Sequence, residues 1–411
     1  MSAIDQAVLD RPAGVAMPLR VRAFNAKFSP NLGDGLLSEC LEQALIEAGC
    51  DAERTYSVDL AARASYQPGS VSRGRLLAVL SATPTSVRRA VTGPPIAYQR
   101  AFKWAPHYRL NLEATDAVVI GGGNLFTDVD LNFPTKLASV FNAAASRHLP
   151  LAIYGVGVSS DWSARGLKIM RAALSRSRPR YVSVRDQSSK ASFDRLFADA
   201  ADCQARVVRD PGLMVSRFVP ADRVDLDAIG LCITAAVAVR YHSSVLVSDD
   251  DLSDWYQALI GQIIDAGVPL RLFTNGSPED IEFAAGLMQR LEPDHPSLVV
   301  ERPTTPTELA QLVSGCGTVI AFRMHALIAA YSYGRNIVAL RWDPKVDAFM
   351  ASIGAGDRVI DAVTTPPSTL LRLAALAAPV GHQDVVAEAS DSISPLVASL
   401  RSGQIGTIAN A

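Results

Sequence analysis

The chain has 411 residues, a length that favours two domains, each large enough for its own core. Lys and Arg total 39 against 41 Asp and Glu, and 49% of residues are hydrophobic, which excludes a disordered chain and a nucleic-acid binder with a strong basic excess. The five cysteines (Cys40, Cys50, Cys203, Cys232, Cys316) lack any C-x-x-C spacing, so neither a disulfide framework nor a zinc site is expected.

Residues 1–17 read as a loose leader with no apolar signal region, and no run reaches the roughly 18 apolar residues of a membrane span. The expected location is the cytoplasm, with the inner face of the cell membrane as a peripheral site. A first domain is expected over 18–222. Met17–Phe24 alternates like a half-buried strand, Asn31-Leu-Gly-Asp-Gly35 follows, and a helical spacing then runs to Gly49. Asp116–Ile120, Leu149–Val158 and Tyr181–Val184 are apolar runs that end in Gly121-Gly-Gly123, Gly155-Val-Gly157 and Arg185-Asp186. Each fits a buried parallel strand opening into a functional loop.

Polar Pro220–Asp227 reads as a linker to a second domain over 223–365. Its expected strands are Ile229–Thr234, Leu270–Thr274, Leu298–Val300, Thr318–Phe322 and Ile337–Leu340, with helices at Trp255–Ala266, Ile281–Leu291 and Thr307–Gly315. Residues 366–411 read as a C-terminal helical extension. The fold class is therefore α/β, two Rossmann-like halves facing a cleft, with ligands where the carboxyl ends of the strands meet.

A basic insertion at 60–112 interrupts the pattern. It carries Arg63, Arg73, Arg75, Arg88, Arg89, Arg100, Lys103 and Arg109, and no Asp or Glu. Phe102, Trp104 and Tyr108 lie among the charges, as interfacial aromatics would. Either this is a solvated insertion, or it is a surface for anionic lipid or a pyrophosphate-linked acceptor.

The strongest chemical signal is Phe322-Arg323-Met324-His325, where a strand ends in Arg-x-His and a helix starts at once. A helix start is an anion site, Arg323 adds a bidentate fork, and His325 can hold a phosphate oxygen or donate a proton. Arg185 has a matching context; it faces Arg323 or it pairs with Asp186 or Asp210. Asn31 and Asp34 orient hydroxyls or cap the helix they precede. Gly122, Gly123 and Asn124 let a ligand approach backbone, or form a tight turn. Lys345 neutralises a phosphate, or is an ordinary surface lysine.

Asp128-Val-Asp130 and Asp249-Asp250-Asp251 are expected in solvated loops. Gly155-Val-Gly157 lacks the third glycine of a dinucleotide site, and the lone His148, His242, His295 and His382 have no metal-ligand spacing.

Taken in order, Asn31-x-Gly33-Asp34, Gly121-Gly122-Gly123, Val182–Asp186, Asp210-Pro211, Arg323-Met324-His325-Ala326 and Asp343-Pro344-Lys345 resemble the polysaccharide pyruvyl transferases. The resemblance covers about residues 20–355 and is most specific over Glu308–Phe349. It implies two Rossmann-like domains of the glycosyltransferase B type, with the acceptor on the first and the donor on the second. The implied activity moves the enolpyruvyl group of phosphoenolpyruvate onto a saccharide of a cell-surface polysaccharide or exopolysaccharide precursor as a cyclic ketal, releasing phosphate. Arg185, Arg323, Met324 and His325 fall on the family's phosphoenolpyruvate-binding positions.

No metal and no cofactor beyond the donor are implied, and the saccharide acceptor is expected to be lipid-linked. His325 is the candidate acid and Asp34 the candidate base. One departure is Ala235-Ala236, where relatives often carry a basic residue; Arg240 and His242 come later. The alternative is a nucleotide-sugar-dependent glycosyltransferase of the same fold.

Overall fold

The computed structural model describes residues 17–66, 95–237 and 248–402. In the first half, β1 (Val21–Asn25), β2 (Tyr56–Asp59), β3 (Ala117–Gly121), β4 (Leu151–Val156), β5 (Tyr181–Val184) and β6 (Arg206–Val207) form a parallel sheet ordered β2-β1-β3-β4-β5-β6. In the second, β7 (Asp225–Cys232), β8 (Leu270–Phe273), β9 (Val300–Glu301), β10 (Cys316–Ala321), β11 (Asn336–Leu340) and β12 (Val359–Ile360) form another. Its order is β12-β11-β10-β7-β8-β9, again parallel throughout.

Strand order reverses between β1 and β3 and again between β7 and β10. Crossovers on the two sides of such a point run to opposite faces and leave a crevice beyond the strand carboxyl ends. The loop Ala26–Asn31 and Gly121–Asn124 open into the first crevice, and Ile233–Ala236 and Arg323 into the second.

The apolar runs form strands because both faces of a parallel sheet are covered by helices. β3, β4 and β11 are buried at every position. β1 corrects the expectation of half-burial, since all five of its residues are buried. The polar residues that suggested alternation are absorbed: Arg20 forms a paired contact with Asp116 at 2.6 and 2.9 Å, and the Arg22 guanidinium stacks 3.8 Å over the Tyr56 ring. The acidic triplet also departs from its expected loop. Asp249–Asp251 form the first turn of the helix Asp249–Asp265, where Ser248 caps the Asp251 amide and the dipole favours acids. Asp128 ties down a loop by accepting from the Ser163 amide at 2.8 Å. The leader through Ala16, Arg73, Arg75, Arg88, Arg89, Arg240 and His242 lie outside the described residues.

The halves share apolar contacts. The helix Leu32–Glu47 of the first half packs on Pro306–Ser314 and Met324–Ser332 of the second, with the turn Pro211–Met214 beside it, so one cluster holds Leu36, Leu41, Leu213, Leu309 and Ile328 together. The chain then returns. Helices His382–Asp391 and Ile393–Arg401 lie against the first half, where Ser392 meets the Tyr154 hydroxyl at 2.5 Å and Arg180 donates to the Leu400 carbonyl at 3.2 Å. Leu396 is fully buried in the same shared cluster. Replacing Leu396 by Ala is expected to cost about 2–5 kcal/mol, measured by urea unfolding. A loss within a few tenths of wild type would show that this returning helix is not a structural part of the core.

Candidate active site

Two helix starts, one from each half, converge in the cleft. The first is that of Leu32–Glu47, where Asn31 accepts from the Gly33 amide at 3.3 Å. The second is that of Met324–Ser332, which no side chain caps. They meet closely. A Cβ on Gly33 would lie 2.5 Å from the His325 Cβ and 2.6 Å from its Nδ1, so only glycine admits the imidazole here.

His325 is 9% exposed, its Nδ1 stands 3.8 Å from Asp34 Oδ1, and its Nε2 has no hydrogen-bond partner in the chain. Burial, helped by the positive charges of Arg185 and Arg323, pushes its pKa down to about 3. The ring is therefore neutral near pH 7. Burial acts oppositely on Asp34 and raises its carboxyl, against Ser29, Arg63, Arg323 and Arg185.

Arg323 and Arg185 act on this pair, and Lys345 stands beside Arg185. Arg323 leaves the carboxyl end of β10 and donates from Nε and Nη2 to Asp280 Oδ2, at 2.9 and 2.6 Å. Asp280 is fully buried and takes the Ala235 amide on its other oxygen at 2.9 Å, which fixes the arginine from behind. Arg185 leaves β5 with looser partners: its buried Nε stands 3.5 Å from Asp186 without a hydrogen bond, and its Nη1 stands 3.8 Å from Asp210. Lys345 follows β11 and pairs with Asp343 at 3.2 Å; burial lowers its pKa, and Arg185 lowers it further.

Unpartnered buried polar atoms collect at the same place: Asn124 Oδ1, Arg185 Nε, Asp210 Oδ2, Asn275 Oδ1 and His325 Nε2. Native interiors rarely leave such atoms without a hydrogen bond, so their clustering singles out this part of the cleft as the candidate site. Gly157 belongs to this wall, since a Cβ there would lie 2.7 Å from Asn124 Oδ1 and 2.9 Å from Arg185 Nη2. Two surface hollows of about 360 and 300 Å³ lie elsewhere and include none of these residues.

The other expected residues take different places. Asn31 is committed to a latch: its Oδ1 accepts from Gly33 and from Asn275, while the Leu32 amide donates to the Asn275 carbonyl at 2.9 Å. Gly122 and Gly123 have left-handed φ of 78° and 73°, and the atoms nearest to a Cβ on either belong to Leu37, with Pro211 also near Gly122. Met324 packs partly buried against the shared apolar cluster. Sequence reasoning missed Asp280, Asn275 and Gly157. Asp280 had a signal, because Ser277-Pro-Glu-Asp280 opens a helix directly after a strand. Among the described residues, no group of three or more His, Cys, Asp or Glu is placed to hold a metal ion, and no helix is long and apolar enough to cross a membrane.

Two outcomes follow from this geometry. Gly33→Ala displaces the His325 ring, so ligand binding in the cleft should be lost while the circular dichroism spectrum stays that of wild type; retained binding would show that the close approach is not needed. The second concerns pH. A histidine near 6.5 unfolded and near 3 folded binds fewer protons in the folded state, so its burial destabilises the fold as pH falls through 6.5 toward 3. His325→Gln should therefore remove up to about 1.4 kcal/mol per pH unit of the wild-type loss in that window. Urea unfolding at several pH values checks this, and parallel pH profiles for the two proteins would contradict it.

Residues 31–344 match the sequence profile of the family described as polysaccharide pyruvyl transferase. No curated protein matches this chain. Among solved structures, it is similar to UDP-GlcNAc 2-epimerase from Methanocaldococcus jannaschii at 12% identity and a TM-score of 0.53, over 93% of this chain and 99% of that one. It is likewise similar to UDP-N-acetylglucosamine 2-epimerase from Rickettsia bellii at 12% identity and a TM-score of 0.50, over 96% and 99% of the two chains. At such identity the likeness carries the fold alone: two Rossmann-like domains of the glycosyltransferase B type.

Proposed function

The chain belongs to the polysaccharide pyruvyl transferase family, a family of transferases with saccharide acceptors, and we propose that its donor is phosphoenolpyruvate. The supporting observation is the gathering of Arg185, Arg323 and an uncapped helix start around one neutral imidazole whose Nε2 has no hydrogen bond, with Lys345 beside Arg185. That charge arrangement suits a small polyanion bearing both a phosphate and a carboxylate.

The proposed chemistry begins with the charge of the donor. Burial, and then the charges of Arg185 and Arg323, keep the free ring neutral; the donor's phosphate and carboxylate offset those charges and give the protonated ring an anionic partner, so the ring takes up a proton as the donor binds. His325 then passes that proton to the methylene carbon, which becomes a methyl group and leaves an oxocarbenium-like centre at C2. A sugar hydroxyl attacks C2, and Asp34, with its raised carboxyl pKa, accepts the hydroxyl proton. The bond from C2 to the phosphate oxygen breaks next. Arg185, Arg323 and the helix start stabilise the departing anion. A second hydroxyl closes the ketal and its proton leaves with phosphate; Asp34 returns the first hydroxyl's proton to solvent, which replaces the one His325 took up, and the reaction balances.

The acceptor is a saccharide precursor of a cell-surface polymer or exopolysaccharide, carried on a lipid and met in the cytoplasm at the inner membrane face. Among the described residues nothing in the cleft specifically favours the alternative of a nucleotide-sugar donor, and the resemblance to nucleotide-sugar epimerases extends to architecture only.

The test measures phosphate release from phosphoenolpyruvate with a panel of pyranoside acceptors, and the mass gain of a carboxyethylidene group on the product. Arg323→Ala is a poor probe, since it strands the buried Asp280 carboxylate. Arg323→Lys keeps the charge and removes the fork, and Arg185→Lys does the same on the other wall. Each is expected to lower kcat by about 10²–10³-fold. Wild-type turnover by both would sink the assignment. Turnover with a nucleotide-sugar and none with phosphoenolpyruvate would replace it.

A further inference from the structure

On the first half, the segment Pro95–Asn111 forms a helix whose turn Arg100–Trp104 is of the π type, followed by Ala105–Asn111. Its inner side is anchored. Trp104 and Tyr108 are buried, Tyr108 donates to the Leu60 carbonyl, and the Lys136 ammonium lies 4.8 Å over the Trp104 ring. Its outer side is unusual for a water-exposed helix: Tyr98, Phe102 and Leu110 are 66%, 71% and 67% exposed, and the Tyr98 and Phe102 rings contact each other at 4.8 Å.

Isolated exposed apolar residues need no explanation, but here they alternate with Arg100, Lys103 and Arg109. Beside them is a surface hollow of about 300 Å³ whose lining includes Arg109, Arg147 and Arg176 and no acid. The whole stretch from Leu60 to Leu112 contains no Asp or Glu, so no acid of its own offsets these charges.

We propose that this face docks on the surface of an anionic phospholipid bilayer. Tyr98, Phe102 and Leu110 enter the boundary between headgroups and acyl chains, and the basic side chains meet headgroup phosphates. Charge complementarity selects this occupant. A zwitterionic surface would leave the arginines and lysine unneutralised, and a protein partner would have to supply an acidic patch over an aromatic pair. Docking here would hold the first half, the acceptor side, at the membrane, where a lipid-linked saccharide resides.

The purified full-length protein is sedimented with vesicles of phosphatidylcholine alone and with vesicles that also carry phosphatidylglycerol. Binding is expected on the anionic vesicles only, weakening as salt is raised. Each basic side chain removed should weaken partition about fivefold, so R100Q/K103Q/R109Q should bind roughly a hundredfold more weakly. Y98S/F102S/L110S should also lose binding, with circular dichroism unchanged because all three side chains are exposed. Equal partition onto both vesicle types, or wild-type partition by both variants, overturns the proposal. So does a wild-type dimer that Y98S/F102S/L110S dissociates, which would make the face a self-association surface. The measurement uses no substrate, so its failure would leave the donor assignment standing, and absence of phosphate release would leave the docking standing.

Discussion

The cleft depends on one close contact: the His325 ring occupies space that any side chain at position 33 would fill. This contact lets two helix starts from different halves of the chain converge on one imidazole. Each start carries the positive end of a helix dipole, and the convergence places both beside Arg185 and Arg323. Around it the latch of Asn31 and Asn275 joins the loop after β1 to the loop after β8. Gly276 serves the same approach, with φ of 87° and a Cβ position only 2.8 Å from the Pro30 carbonyl oxygen.

Concentrating positive charge in a buried place is costly, and the chain offsets it unevenly. Arg323 is held tightly by a fully buried Asp280 that is itself bonded to backbone, so this guanidinium is fixed before any ligand arrives. Arg185 is held loosely by Asp186 and Asp210, and its Nε makes no hydrogen bond. One arginine is thus a rigid wall and the other has bonding capacity in reserve. Burial and then both charges keep His325 neutral, and burial raises the pKa of the Asp34 carboxyl. A polyanion entering the cleft would alter both balances at once, coupling binding to proton position.

The shared apolar cluster explains how loops from two sheets hold such geometry. The helix Leu32–Glu47 packs on two helices of the second half, and the last two helices return to the first. The cleft walls therefore rest on packed secondary structure rather than on loops alone, which keeps side-chain placement precise at a ligand site. The outward face of Pro95–Asn111 lies on the first half, and its inner side is locked by Trp104 and Tyr108.

By itself the sequence determined the architecture and the chemical type of the site. Short apolar runs such as Ala117–Ile120 and Val319–Ala321, ending in glycines or in a charged residue, read as buried strands, and Arg323-x-His325 at a strand end meets a helix start by local chain geometry. β1 escaped this reading because Arg20 and Arg22 imitate an alternating surface, and only packing shows that Asp116 and Tyr56 absorb them. The pairing of Arg323 with Asp280, the obstruction between Gly33 and His325, and the commitment of Asn31 to Asn275 were decided by tertiary structure, because each joins residues 43, 292 and 244 positions apart. The protonation state of His325 was decided there too: a histidine's charge follows its burial and its neighbours, and neither is a property of its position in the chain.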